Sequence, residues 1–416
     1  MKFALINSLI TGSTGRGVKK NYDRLKERGH VVKVFYGRKT DNDIESRDFV
    51  YFGNKNSSRI HILGSYFLGL NGRMSNIQTS KLLRMLDEYN PDIVWLSNLH
   101  GSYLNVFRLL NYLKKKDIWT VYGMPDEYAF CGKCCSAYDC EKYKTGCEKC
   151  PHLHDYPRSY IFDNSKTLFN LKKQAYDGFE KIVFRSAPYV VNKAKESALL
   201  KDKEFFVTDS SVDMTRYFYP RETDKLRQEL GIARSTKVLL LCAPIKDALK
   251  GGEFFLEAAR RCVDEDFVFI NVSYGGDTSS LPSNFIALPF ERDRDRLAEF
   301  YSLADAYVCT SKSDAQPNAC LEALGCGTPI IGFNTSGVPY IAPNEFGTFV
   351  APFDIDELVL AIKQQPIKTE KFIAKCREYA LSRFSIEASN VVYDTFLEEI
   401  CSRVKSNKRL EEEPNI

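Results

Sequence analysis

The stretch SDAQPNACLEALGCGTPII, residues 313–331, decides how the chain is read. An apolar run at residues 306–309 precedes it, and another at 329–333 closes it. Pro317 suits the first turn of a helix, where a missing N–H is no loss. Gly325 and Gly327 permit a sharp exit from that helix into the next strand. A strand, a helix and a second strand in this order make a crossover between parallel neighbours. The segment also places Asp314 just before the helix and Glu322 inside it, eight residues on.

The same alternation extends in both directions. Towards the N-terminus of this half, strands are expected at 238–242, 267–272 and 284–288, with helices at 251–262 and 293–302. The first half repeats the pattern. Strands are expected at 2–7, 31–36, 93–97, 119–122 and 181–184, with helices near 12–28, 81–89, 103–115 and 165–178. Such alternation predicts parallel sheets covered by helices on both faces. With 416 residues, the chain is expected to form two doubly wound α/β domains facing across a cleft. The expected boundaries are residues 1–215 and 216–383, then a C-terminal helix at 384–404 and a disordered tail at 405–416. In sheets of this kind ligands bind beyond the carboxyl ends of the strands.

Composition narrows the function. A net charge of +4 is too mild to argue for nucleic acid, though it allows weak attraction to an anionic membrane. No apolar run approaches the roughly 18–20 residues of a membrane span. The opening MKFALINSLI reads as a first buried strand rather than a leader, so the expected compartment is the cytoplasm. The 13 cysteines favour free thiols and a metal site over a disulfide framework.

Several segments fall just after expected strands. GSTGRG, residues 12–17, can cradle phosphate through Gly12, Gly15 and Arg16. A dinucleotide site would want an acid at the end of the second strand, and VFYGRK has none. His100 in LSNLHGSYLN and Asp126 in GMPDEY follow the next two strands. Lys250 lies in LKGGEFF. On spacing alone, Asp314 is either a helix cap or an acceptor for sugar hydroxyls. Glu322 is either a solvated helix residue or a ribose ligand. Cys134, Cys140, Cys147 and Cys150 show the spacing C-x5-C-x6-C-x2-C. Four thiolates on a short loop suit structural zinc, and free thiols or a disulfide remain open alternatives. Lys19, Lys20, Arg24, Lys26 and Arg28 crowd the first helix, either as a solvated face or as a surface for anionic lipid.

Residues 311–341, SKSDAQPNACLEALGCGTPIIGFNTSGVPYI, resemble the donor-site segment of the retaining glycosyltransferases of family 4. The resemblance extends to GSTGR, HGSYLN, the cysteine-rich insert, SSVD before the second domain and SLADAYVCTS, in that order. It is similar to the subgroup that builds bacterial polysaccharides. It implies the GT-B architecture and transfer of a sugar from a nucleotide donor, a UDP-sugar above all, with retention. The acceptor would be a glycan or lipid-linked glycan of a capsule, exopolysaccharide or O-antigen, with peripheral contact at the membrane. The implied roles are residue by residue. Glu322 binds the donor ribose; Asp314 and the backbone of Ala315, Pro317, Asn318 and Ala319 hold the transferred sugar. Lys250 meets the donor diphosphate. His100 helps position the donor, and Asp126 orients the acceptor hydroxyl. The family's usual arginine, five residues before that lysine, is Ile245 here, leaving Lys246 as a substitute. No Asp-x-Asp metal motif stands in a fitting place, so no catalytic metal is expected. The rival readings are a nucleotide-sugar 2-epimerase of the same plan and a non-catalytic glycan-assembly scaffold.

Overall fold

The computed structural model describes residues 1–41, 43 and 46–412. It divides into two compact units. The first holds seven strands: β1 (Lys2–Asn7), β2 (Val31–Tyr36), β3 (Phe49–Tyr51), β4 (Ile93–Ser97), β5 (Trp119–Gly123), β6 (Ile182–Ser186) and β7 (Glu204–Val207). They form one parallel sheet in the order β3-β2-β1-β4-β5-β6-β7. The second holds β8 (Lys237–Cys242), β9 (Phe267–Val272), β10 (Phe285–Leu288), β11 (Ala306–Cys309), β12 (Ile330–Phe333) and β13 (Gly347–Val350). Their order is β10-β9-β8-β11-β12-β13, again all parallel. This is the doubly wound α/β pair that the sequence predicts.

Burial on both faces explains the apolar runs. In β8, Val238 and Leu240 pack into one core while Leu239 and Leu241 pack into another, on the opposite face. Alternate side chains of a strand point to opposite faces, so a strand between two helical layers must be apolar throughout. In each sheet the order reverses once, between β1 and β4 and between β8 and β11. Those two places are where the carboxyl ends of neighbouring strands stand open to a ligand.

The structure departs from the sequence reading at several edges. The first unit ends at Val207 rather than 215. Residues beyond it are pinned to the second unit: Ser210 N–H donates to Gln316 Oε1 at 2.6 Å, Val212 N–H donates to the Phe384 carbonyl at 3.0 Å, and Met214 and Phe218 are core residues there. The helix expected from 103 runs Val106–Lys115, because Asn105 caps it by accepting from Arg108 N–H. The last helix spans Ile386–Glu412, so the tail expected to be disordered from 405 is helical to Glu412; residues 413–416 lie outside the described residues. No Pro or Gly interrupts residues 386–412, and Pro414 follows. Three short strands (β3, β7, β13) and the helix Lys55–Leu68 had no sequence-based assignment.

From Phe396 on, the last helix belongs to the first unit. Phe396 is buried there, its ring 5.9 Å from Trp95 of β4 and 4.5 Å from Phe206 of β7. Removing such a ring leaves a cavity worth about 3–5 kcal/mol. Phe396→Ala is therefore expected to speed hydrogen exchange in β4 and β7 while β8–β12 keep their protection. Equal loss in both sheets would show instead that the two units open together.

Candidate functional site

In the second unit the site is built where β8 and β11 lie side by side. The loop after β8 ends in Lys250, and the loop after β11 carries Asp314. Backbone contacts stitch the two loops together. Lys312 N–H donates to the Leu249 carbonyl at 2.8 Å, and Thr310 Oγ1 donates to the Lys250 carbonyl at 2.9 Å. Gly251 adopts φ +63°, and a Cβ there would lie 2.1 Å from the Thr310 carbonyl oxygen, so only glycine fits. Lys250 Nζ thereby reaches Asp314 Oδ2 at 2.6 Å. Burial would lower the lysine pKa, but the Asp314 charge and hydrogen bond outweigh it, and the net direction is up. Lys250 is charged at neutral pH.

Asp314 Oδ1 accepts from Gln316 N–H at 3.1 Å, so the acid also closes the turn into the helix Asn318–Gly325. Pro317 is the residue before that helix rather than its first member. Asn318 and Ala319 lie in the first turn, where N–H groups have no carbonyl behind them. The Ala315 carbonyl is covered by Gly337, at which a Cβ would lie 1.8 Å from the oxygen. Glu322 faces inward, and its Oε2 accepts from Tyr301 Oη at 2.8 Å. Burial raises its pKa to about 7, against the opposing pull of Tyr301 and Arg294. Neither Tyr301 nor Gln316 was singled out from the sequence, because each lies in an ordinary helical or turn pattern.

The two candidates for a second cation separate. Ile245 is buried, and a Cβ on Gly252 would lie 2.8 Å from its Cα. Lys246 is exposed, and its charge contributes to lowering the pKa of Asp277, after two hydrogen bonds from Ser279.

In the first unit β1, β4 and β5 are neighbours, and their carboxyl ends deliver the other candidates. Gly12 starts the helix Gly12–Glu27 at φ +70°. At Gly15 a Cβ would lie 2.2 Å from the Ile10 carbonyl carbon, so the loop packs tightly on the helix. Arg16 is exposed. Ser97 of β4 pairs with Gly123 of β5, which brings His100 beside Asp126. His100 Nε2 lies 2.8 Å from Asp126 Oδ2, with side chains 11% and 23% exposed. His100 Nδ1 meets Tyr156 Oη at 3.1 Å, and Asp126 Oδ1 accepts from Tyr128 N–H at 2.9 Å. Asp126 thus spends both oxygens, fixing the histidine and capping the turn Glu127–Ala129. Cys135 completes a group whose ligand atoms lie within 4.8 Å of one another.

Of the four cysteines with metal-like spacing, Cys134 and Cys150 lie 3.9 Å apart at sulfur. Cys140 and Cys147 line the same small cavity, as does Cys131. Gly132 N–H donates to Cys147 Sγ at 3.2 Å, and the His152 backbone donates to Cys150. Among the described residues, no three of these thiols come within 4.8 Å of one another.

Comparison with known proteins adds a class to this geometry. Residues 278–383 match the family described as glycosyl transferases group 1. Over 282 residues the chain is 23% identical to the putative colanic acid biosynthesis glycosyl transferase WcaC of Escherichia coli K12, covering 66% of this chain and 68% of that one. In fold it is similar to sucrose-phosphate synthase from Thermosynechococcus elongatus, at TM-score 0.66 and 15% identity, over 97% of this chain and 100% of the other. HepE of Anabaena, solved with UDP and glucose, is similar at TM-score 0.60 and 14% identity, over 97% and 100% of the two chains. Residues 278–383 are thus similar to a group 1 glycosyltransferase domain, and the chain has the GT-B fold.

Glu322 generates a pH prediction. Its folded pKa, about 7, exceeds the usual 4.5, so between those values the folded protein keeps a proton that the unfolded chain has lost. Its contribution to stability is full below 4.5 and is lost as pH rises through 7. Glu322→Gln keeps the shape without the charge. Its melting temperature is expected to exceed wild type above pH 7, by up to about 3 kcal/mol of stability, and to converge with it towards pH 5. A constant difference across pH 5–8 would show that Glu322 is not the titrating group.

Proposed function

We propose that this chain is a retaining glycosyltransferase of family 4. It moves a sugar from a nucleoside diphosphate donor, a UDP-sugar in the first instance, to a glycan or lipid-linked glycan of a bacterial surface polysaccharide. One observation carries the reading: Lys250 and Asp314 meet at 2.6 Å at the strand-order reversal of the second sheet, directly before a helix N-terminus. A cation and first-turn N–H groups at one spot suit a leaving diphosphate. The presence of UDP and glucose in HepE and the colanic acid role named for the E. coli relative support the substrate class.

In this reading the donor diphosphate takes over Lys250, and Asp314 turns to the hydroxyls of the transferred sugar. The carboxylate of Glu322 accepts from the ribose. The bond from the anomeric carbon to phosphate oxygen breaks, and the electron pair stays on the diphosphate. The acceptor oxygen attacks from the same face, and its proton passes to that phosphate oxygen. No protein nucleophile and no catalytic metal takes part. By the same resemblance, His100, held by Asp126, is the first unit's donor-positioning group and Gly12, Gly15 and Arg16 its phosphate-binding loop, while Lys246 is the second unit's candidate for a further charge.

The test pairs binding with turnover. A ligand that binds only the folded state raises its melting temperature. UDP, GDP, ADP, CMP and NAD are each compared on wild type and Glu322→Ala. One nucleoside diphosphate is expected to stabilise wild type and not the variant. Lys250→Ala is expected to lose about 10²–10³ in kcat, and the product anomer, read by NMR, should match the donor. Stabilisation by NAD alone, or isomerised donor without acceptor, would refute transfer.

The same reading gives the cysteine cluster a structural zinc ion. Two ligands of tetrahedral zinc with bonds of about 2.3 Å stand about 3.8 Å apart, close to the Cys134–Cys150 separation of 3.9 Å. The N–H groups on Cys147 and Cys150 are the second-shell donors that a thiolate site uses. Cys134, Cys140, Cys147 and Cys150 would hold the ion, which would brace the loop. Elemental analysis is expected to find one zinc per chain, lost in the Cys147→Ser variant. A zinc-free chain lighter by one hydrogen pair would assign Cys134 and Cys150 to a disulfide instead.

A further inference from the structure

The helix Lys55–Leu68 is inside out. Its buried residues are Ser58, His61, Gly64 and Ser65. Its exposed residues include Ile60 at 59%, Leu63 at 53% and Phe67 at 49%. The spacing 60, 63, 67 puts these three on one face, with Tyr66 beside them. A soluble surface helix has the opposite arrangement.

The inward polar face is well satisfied. Asn54 caps it by accepting from Ser57 N–H at 3.0 Å, and Gly69 ends it at φ +60°. His61 is fully buried and neutral, its pKa pushed down to about 4 by burial. Its Nε2 accepts from Gly72 N–H at 3.0 Å, which leaves Nδ1–H for Ser75 Oγ at 3.0 Å. Gly64 lets Met74 close on the helix; a Cβ there would lie 2.1 Å from the sulfur.

A second segment extends the exposed face. Tyr160 N–H donates to the Tyr66 carbonyl at 2.6 Å, and Phe162 N–H donates to the Phe67 carbonyl at 3.3 Å. The rings of Tyr66 and Tyr160 lie 5.7 Å apart. Tyr156, Tyr160, Ile161 and Phe162 are all more than half exposed. The result is one contiguous apolar and aromatic surface on the first unit, which a monomer in water does not keep without use.

On the helix side its charge is of one sign. Residues 49–86 contain no Asp or Glu, and Lys55, Arg59 and Arg73 are exposed among them. Arg158 reaches Tyr160 and lies near Tyr66. The acids flanking the second segment are engaged: Asp163 accepts from the backbone of Cys150 and Ser165, and Asp155 pairs with His152. The basic helix Gly12–Glu27 offers no such free face. There Arg24 is buried, Lys19 pairs with Asp23 and Lys26 pairs with Asp48.

We infer that the face formed by the helix Lys55–Leu68 and residues 156–162 seats on an anionic phospholipid surface. Apolar side chains would enter the acyl boundary, tyrosines would lie at headgroup level and the arginines would meet lipid phosphate. No helix among the described residues is long and apolar enough to cross a membrane, so the contact is interfacial. The inference stands apart from the proposed transfer reaction.

The test is co-sedimentation of the full chain with vesicles of phosphatidylcholine alone or mixed with phosphatidylglycerol. Wild type is expected to bind the mixed vesicles and to weaken as salt rises. The substitutions in Leu63→Glu/Phe67→Glu sit on exposed positions and should leave the melting temperature unchanged, yet lower partitioning about tenfold or more. Arg59→Glu/Arg158→Glu should bring the mixed vesicles down to the level of phosphatidylcholine alone, about tenfold. Partitioning unaffected by both pairs would overturn the inference. So would a concentration-dependent dimer, seen by sedimentation and abolished by Leu63→Glu/Phe67→Glu, because the face would then belong to a second copy.

Discussion

The structure depends on one constraint of parallel sheets. Where the strand order reverses, the two connections leave towards opposite faces, and no helix covers the ends of the strands between them. The loops there must satisfy each other. After β8 and β11 they do so with Lys250 on Asp314, with a backbone bond from Lys312 and with the Thr310 hydroxyl on the Lys250 carbonyl. In the first unit His100 meets Asp126 beyond the ends of β4 and β5, beside the reversal between β1 and β4. In both units the polar partners sit on loops that follow the strand ends and are tied down by hydrogen bonds. Charges fixed in this way need little reorganisation when a reacting group arrives, which is the main source of electrostatic catalysis.

What the sequence revealed follows the same physics. Strands buried on both faces are continuous apolar runs, so β1, β2, β4, β8, β9 and β11 were legible. The candidate site residues stood out as candidates because they follow those runs. Short edge strands such as β3 and β13 bury little and leave no run to read. The helix Lys55–Leu68 was illegible for a different reason: its apolar period marks the face turned to solvent. Partners were harder than positions. Nothing in a one-dimensional pattern says that Tyr301 would reach Glu322, or that Asp126 would spend itself on His100, since both pairings come from strand register and helix packing.

Three departures from local rules remain, and their degree of satisfaction separates them. His61 is a titratable side chain in the interior, but both ring nitrogens have partners. It is complete within the fold and asks for nothing more. Glu322 is half-buried, and the hydrogen bond it accepts from Tyr301 falls short of what a carboxylate can accept. Its pKa rises to about 7 because that single donor does not repay burial. Two hydroxyls of a ribose would supply the missing donors and bring the charge back. The exposed face of the helix Lys55–Leu68 is incomplete in the apolar sense, with Ile60, Leu63 and Phe67 in water. Residues that break a local rule and are fully satisfied are structural. Those that break it and stay unsatisfied point to what the folded chain binds.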